Sequence, residues 1–131
     1  MSIFSKIFGD SNAGNEDQSN AIQWIDLNDI SQLDEIVAIS EEKPVIIFKH
    51  STRCSISRMA LKNFEKEYNL SEDSVVAYFL DLLEHRDISN EITQRFNVVH
   101  QSPQLLLIKK GKSVYNTSHS DIDAEALASE I

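Results

Sequence analysis

The chain carries one cysteine, Cys54, inside the stretch Lys49-His50-Ser51-Thr52-Arg53-Cys54-Ser55-Ile56-Ser57. Before it stand Val45, Ile46, Ile47 and Phe48, a continuous apolar run expected of a buried strand, and after it apolar residues recur at helical spacing. Cys54 is therefore expected where a strand ends and a helix begins. At a helix start the unpaired backbone N–H groups and the positive end of the dipole favour a thiolate over a thiol. Arg53 and His50 are expected to add positive charge. A thiolate is the attacking species in disulfide exchange, so this position suits a nucleophile. The alternative, a buried cysteine acting as a small hydrophobe, fits the polar flanking residues less well. With one cysteine, neither an intrachain disulfide nor a multi-thiolate metal site can form.

Pro103 is the second pointer. It follows His100-Gln101-Ser102 and precedes the apolar run Leu105, Leu106, Leu107 and Ile108. A cis proline there would expose the Ser102 backbone for pairing with an extended partner. His100, three residues ahead, is expected to approach Cys54 and to stabilise the thiolate or assist proton transfer. The four histidines, His50, His85, His100 and His119, lack the mutual spacing of zinc ligands, so no metal site is expected. Thr52, Ser55, His100, Ser102 and Pro103 are the candidate substrate contacts.

These residues need a scaffold, and the scarce punctuators outline one. Ile22 and Trp24 alternate with polar positions as a first strand. Asn28 or Asp29 can cap a helix carrying Ile30, Leu33, Ile36 and Val37, and Pro44 blocks its continuation. The strand at 45–48 follows, then a helix whose buried face is expected to be Ile56, Met59, Ala60, Phe64 and Tyr68. A third strand spans 75–80, and Ile88, Ile92 and Phe96 mark a third helix begun by Asp87 or Ser89. The strand at 105–108 turns at Lys109-Lys110-Gly111-Lys112 into a fifth strand near 113–116. Asp121 or Asp123 caps a last helix with Ile122, Ala126, Leu127 and Ile131. Strands joined through helices lie parallel, and the hairpin adds antiparallel pairing. The expected fold is α/β, a mixed sheet of four to five strands with helices on both faces. Trp24 is expected to anchor the first strand in the core.

At 131 residues the chain fits one domain, expected over 21–131 behind a flexible tail at 1–20. Ile3, Phe4, Ile7 and Phe8 could form one side of a short helix, docked loosely, before a polar stretch with nothing to bury. Twelve Lys+Arg against 21 Asp+Glu give a net charge of -9, which disfavours nucleic acid. No apolar run approaches the roughly 20 residues of a bilayer span, and no signal peptide is visible. A reducing, cytoplasmic setting is the expectation.

The strand order, the cysteine after the second strand and the proline before the fourth resemble the thioredoxin fold. The nonapeptide at 49–57, together with Ser102-Pro103-Gln104-Leu105, resembles the YtxJ family of thioredoxin-like proteins, the monothiol bacilliredoxins, with coverage from about residue 22 to 131. The resemblance implies Cys54 as nucleophile with Arg53 beside it, and a cis proline at 103. It also places Ser57 where a thioredoxin has its resolving cysteine, as a hydrogen-bond partner without redox capacity. Lacking a second thiol, Cys54 would take a small thiol from a mixed disulfide and stay capped until another thiol released it. The implied co-substrate is bacillithiol, with no bound cofactor. The implied partners are that low-molecular-weight thiol and S-thiolated client proteins, engaged by a monomer. One departure stands out: Ser55 follows the cysteine where the family pattern has proline, leaving an extra N–H. The alternatives are a non-catalytic thioredoxin-like interaction module, a glutaredoxin-like iron–sulfur carrier, which Ser55 in place of glycine disfavours, and a peroxidase, which the missing upstream proline disfavours.

Overall fold

The structure, a computed structural model, describes residues 22–71 and 73–131. The tail expected at 1–20, its apolar residues Ile3, Phe4, Ile7 and Phe8, and Ala21 lie outside the described residues. The order is β1 (Trp24–Asp26), α1 (Gln32–Ile39), β2 (Val45–His50), α2 (Ser55–Glu67), β3 (Val76–Asp81), α3 (Arg86–Phe96), β4 (Gln104–Lys109), β5 (Lys112–Ser118), a 3-10 turn (His119–Asp121) and α4 (Ala124–Glu130).

The five strands form one sheet in the order β1-β3-β2-β4-β5. β1 and β2 both run parallel to β3, as their helical crossovers require, while β4 lies antiparallel to β2 and β5 to β4. Lys110 and Gly111 both have positive φ, 53° and 74°, which suits the two-residue turn joining β4 to β5.

Alternation along the strands divides the interior in two. Val45 and Ile47 face α1 and α3, packing with Leu33, Ile36, Ile88, Ile92 and Phe96. Ile46 and Phe48 face α2 and α4, packing with Phe64, Tyr68 and Leu127. All six residues of β2 are buried, so the central strand is covered on both faces.

Several local expectations shift. β2 runs two residues further than its apolar stretch, through Lys49 to His50, because strand pairing with Leu80, Asp81 and Gln104 holds those residues in the sheet. The buried side of α2 is Ser57 and Phe64, and Ile56 and Met59 are 60% and 66% exposed. Apolar spacing alone does not reveal which stripe the sheet covers, since residues three apart differ by only about 60° around the axis and neighbouring stripes overlap. Helix α1 starts at Gln32, where Asp29 Oδ1 accepts the Ser31 N–H and Gln32 Oε1 accepts those of Asn28 and Asp29. Helix α3 starts at Arg86 with no side-chain cap. Asp123 caps α4 by accepting the Glu125 N–H, while Ile131 stays exposed. Trp24 packs against Phe48, Phe64 and Phe79, and its indole N–H donates to Glu65 at 2.7 Å.

Candidate active site

Cys54 is the N-cap of α2, in extended backbone with φ −107° and ψ 122°, four residues past the end of the central strand. Its N–H donates to Ser51 O at 3.2 Å, closing the turn, and its carbonyl accepts the Arg58 N–H at 3.1 Å, opening the helix. The thiol is free and half-buried, and it makes no capping bond to the helix N–H groups. Its sulfur is thus uncommitted at the head of a 13-residue helix.

Under this turn sits a compact polar knot. Ser57, wholly buried, accepts the Ser51 N–H at 3.0 Å through its hydroxyl, which also lies 2.8 Å from His50 Nδ1. The pairing ties α2, the turn and the last residue of β2 together. Burial against Phe48 and Phe79 pushes the His50 pKa below the ordinary histidine value, opposed by Asp81, assisted by Arg58 and opposed by Glu65. His50 is therefore neutral at pH 7 and does not supply the positive charge expected of it.

The strand's alternation sends its neighbour to the other face. Lys49 is completely buried, with Nζ 2.8 Å from His100 Nδ1 and donating to Gln104 Oε1 at 3.2 Å. No carboxylate meets it among the described residues, and burial lowers its pKa from 10.5 to about 8. Gln104 also donates to Val99 O and accepts the Gln101 N–H, so the Lys49–Gln104 pair fastens the loop between α3 and β4. The ring of His100 is thereby engaged by Lys49. Burial, Lys49 and Arg86 all lower the His100 pKa.

The Ser102–Pro103 peptide is cis. The β2–β4 register pairs Lys49 with Gln104 and Phe48 with Leu105, which brings Pro103 level with His50. Pro103 is buried with Ser102 half-buried beside it, at the same sheet end as the Cys54 turn. Thr52, Arg53 and Ser55 are exposed around the cysteine. Thr52 O accepts from Arg58 Nη1 at 3.1 Å, and Thr52 and Arg53 line a polar cleft of about 270 Å³ with Leu83, Glu84 and Arg86. On the other side of Cys54, exposed Ile56 and Met59 border an apolar groove with Ala60, Asn63, His119 and Ile122.

Of the residues expected at the site, Arg53, Cys54, Ser57, Thr52, Ser55, Ser102 and Pro103 gather at this sheet end. Lys49 and the structural use of His50 were not expected. The signal for Lys49 was its period-two match to Val45 and Ile47, which puts it on their buried face. Among the described residues, no three His, Cys, Asp or Glu side chains converge as a metal site would require, and no helix is long and apolar enough to cross a membrane.

The chain is similar to known proteins over most of its length. A family model described as "Monothiol bacilliredoxin BrxC" matches residues 25–127. A solved structure described as a candidate oxidoreductase with a thioredoxin fold is 34% identical, with a TM-score of 0.69, over 90% of this chain and 97% of the other. Thioredoxin from Malassezia sympodialis shares 21% identity and a TM-score of 0.63 over 80% of this chain and 84% of its own. Spinach chloroplast thioredoxin f, long form, shares 17% and a TM-score of 0.61 over 89% and 90%. The last two show the fold alone.

Proposed function

The chain belongs to the monothiol bacilliredoxin family, has the thioredoxin fold, and on that premise we propose that it removes or exchanges a low-molecular-weight thiol, bacillithiol, on protein mixed disulfides through Cys54. The observation that carries this is the uncommitted Cys54 sulfur at the head of α2, with a hydroxyl, Ser57, three residues on in place of a second thiol.

In the reaction, the Cys54 thiolate attacks the small-thiol sulfur of the mixed disulfide. A new disulfide forms between Cys54 and the small thiol, the S–S bond to the client's sulfur breaks, and the client leaves as a thiolate that takes a proton from water. A second molecule of the small thiol then attacks the capped Cys54, releasing the symmetric small-molecule disulfide and restoring the thiolate. Net, the client sulfur is reduced to a thiol and one small thiol is oxidised into the symmetric disulfide, whose other half arrived already at disulfide level, so electrons balance without a bound cofactor. Arg53 and the start of α2 flank Cys54 directly. Thr52, Ser55, Ser102 and Pro103 line the approach to the sulfur, and exposed Ile56, Met59 and Val99 offer apolar area to a protein client. A monomer in a reducing cytoplasm would serve this role.

The test is intact mass after reduced protein meets bacillithiol disulfide or, separately, glutathione disulfide. One adduct is expected, forming faster with bacillithiol and lost in Cys54→Ser. No adduct from the folded protein with either disulfide would overturn the exchange function and favour a thioredoxin-like binding module.

A further inference from the structure

We infer that the polar cleft of Thr52, Arg53, Leu83, Glu84 and Arg86 is a subsite for a carboxylate of the small thiol that exchanges at Cys54, with Arg86 as its specificity-determining residue. This rests on the exchange function proposed above.

Position comes first. The cleft of about 270 Å³ opens where β2 and β3 end, between the turn that leads into α2 and the turn that leads into α3. Its wall at Thr52 and Arg53 is at most two residues from Cys54, and consecutive Cα atoms are about 3.8 Å apart. A thiol with its sulfur at Cys54 therefore reaches the cleft through a few bonds.

Charge comes second. The chain is strongly acidic at -9, yet this end of the sheet gathers Lys49, Arg53, Arg58 and Arg86. Arg86 is close enough to act on the His100 ring. The two salt bridges among the described residues both belong to Arg95, which leaves the Arg53 and Arg86 guanidiniums without a carboxylate partner there. Glu84 lines the same cleft and pairs with neither guanidinium, so one negative charge there faces two positive ones. Guanidinium forks match carboxylates, and the lining is mostly polar, which suits a charged group over an apolar one.

The experiment measures the rate of the single Cys54 adduct with three symmetric disulfides: anionic 3,3′-dithiodipropionate, neutral bis(2-hydroxyethyl) disulfide and cationic cystamine. The wild type is expected to prefer the anion at low salt. Arg86→Gln should slow the anionic reaction about three- to tenfold, the scale of one exposed charge-assisted contact, while the neutral rate stays within about twofold. Arg86→Lys should restore part of the loss. Equal slowing with all three disulfides, or no slowing with the anion, overturns the subsite. A second readout does not need exchange: Cys54→Ser protein titrated with S-methylglutathione, which has no free thiol. Amide shifts confined to residues 52–53 and 83–86, and lost in the Arg86→Gln background, support the subsite even if no disulfide reacts. Their absence, with no anion preference in the rates, removes it. Absence of any adduct alongside those shifts would instead remove the exchange function and leave an anion-binding cleft.

Discussion

The Ser57 hydroxyl has one proton to give and two lone pairs. One lone pair takes the Ser51 N–H, and the contact with His50 Nδ1 occupies the hydroxyl again. With His50 neutral and its proton on Nε2, the hydroxyl donates to Nδ1 and has nothing left for the Cys54 sulfur. With His50 charged, Nδ1–H would donate to the hydroxyl, freeing its proton to turn toward Cys54. Burial keeps His50 neutral at pH 7, so Ser57 there acts as a tie beneath the turn more than as a donor to the thiolate. Ser57→Ala strands a buried N–H and an imidazole nitrogen, and should lower stability by about 1–3 kcal/mol in urea unfolding. Alkylation of Cys54 by iodoacetamide at pH 7 should change by less than about threefold, below the effect of about one pKa unit in the thiol. A change near a hundredfold in that rate would mean that the hydroxyl serves the sulfur directly.

At the level of elements, β2 decides what could be foreseen. The apolar run 45–48 ending at a polar stretch, with helical spacing beyond, placed Cys54 at a strand-to-helix junction, and the structure puts it there. Pro103 ahead of the 105–108 run was legible for the same reason. Lys49 was not, because lysine seldom lies fully buried and local composition cannot show that Gln104 and His100 wait for it 55 and 51 residues later. The exposed face of α2 escaped for the converse reason, since Ile56 and Met59 lie on the rim that the sheet leaves uncovered. Lys49 has a measurable signature. Its pKa falls from 10.5 to about 8 in the fold. Between those values the unfolded chain holds more protons than the native one, so stability rises with pH across that window. The charged form at pH 7 is the strained one, by roughly 3 kcal/mol at most. Lys49→Met keeps the stem and removes the charge. It should raise the urea midpoint at pH 7 and flatten the rise seen in wild type from pH 7.5 to 9.5. A wild-type midpoint already flat over that range would show that Lys49 is not held below its ordinary value.

For the whole molecule, acid acts through two histidines on opposite faces of one sheet. His50 lies with the α2 core against Phe48 and Phe79, and His100 is held over the α3 side by Lys49. Both have lowered pKa values, burial being the largest cause in each. As pH drops through 6.5 the unfolded chain takes up these protons before the native one does, so stability declines on acidification. Asp29, held below 3.8 by its bonds from Ser31, stays charged throughout that window. From pH 7 to 5.5 the urea midpoint should fall, mostly through buried His50, because solvent screens the exposed His100 ring. The two cores share β2, whose residues are buried on both sides and paired with β3 and β4. Loosening at either face therefore weakens the strand common to both, and unfolding should stay all-or-none. Trp24 reports on one face, through Phe48, Phe64 and Phe79, while far-ultraviolet circular dichroism reports on the entire sheet and its helices. The urea midpoints from the two signals should fall together between pH 7 and 5.5. If the Trp24 midpoint fell while the dichroism midpoint held, the faces would be opening separately, and the shared strand would not be the coupling element.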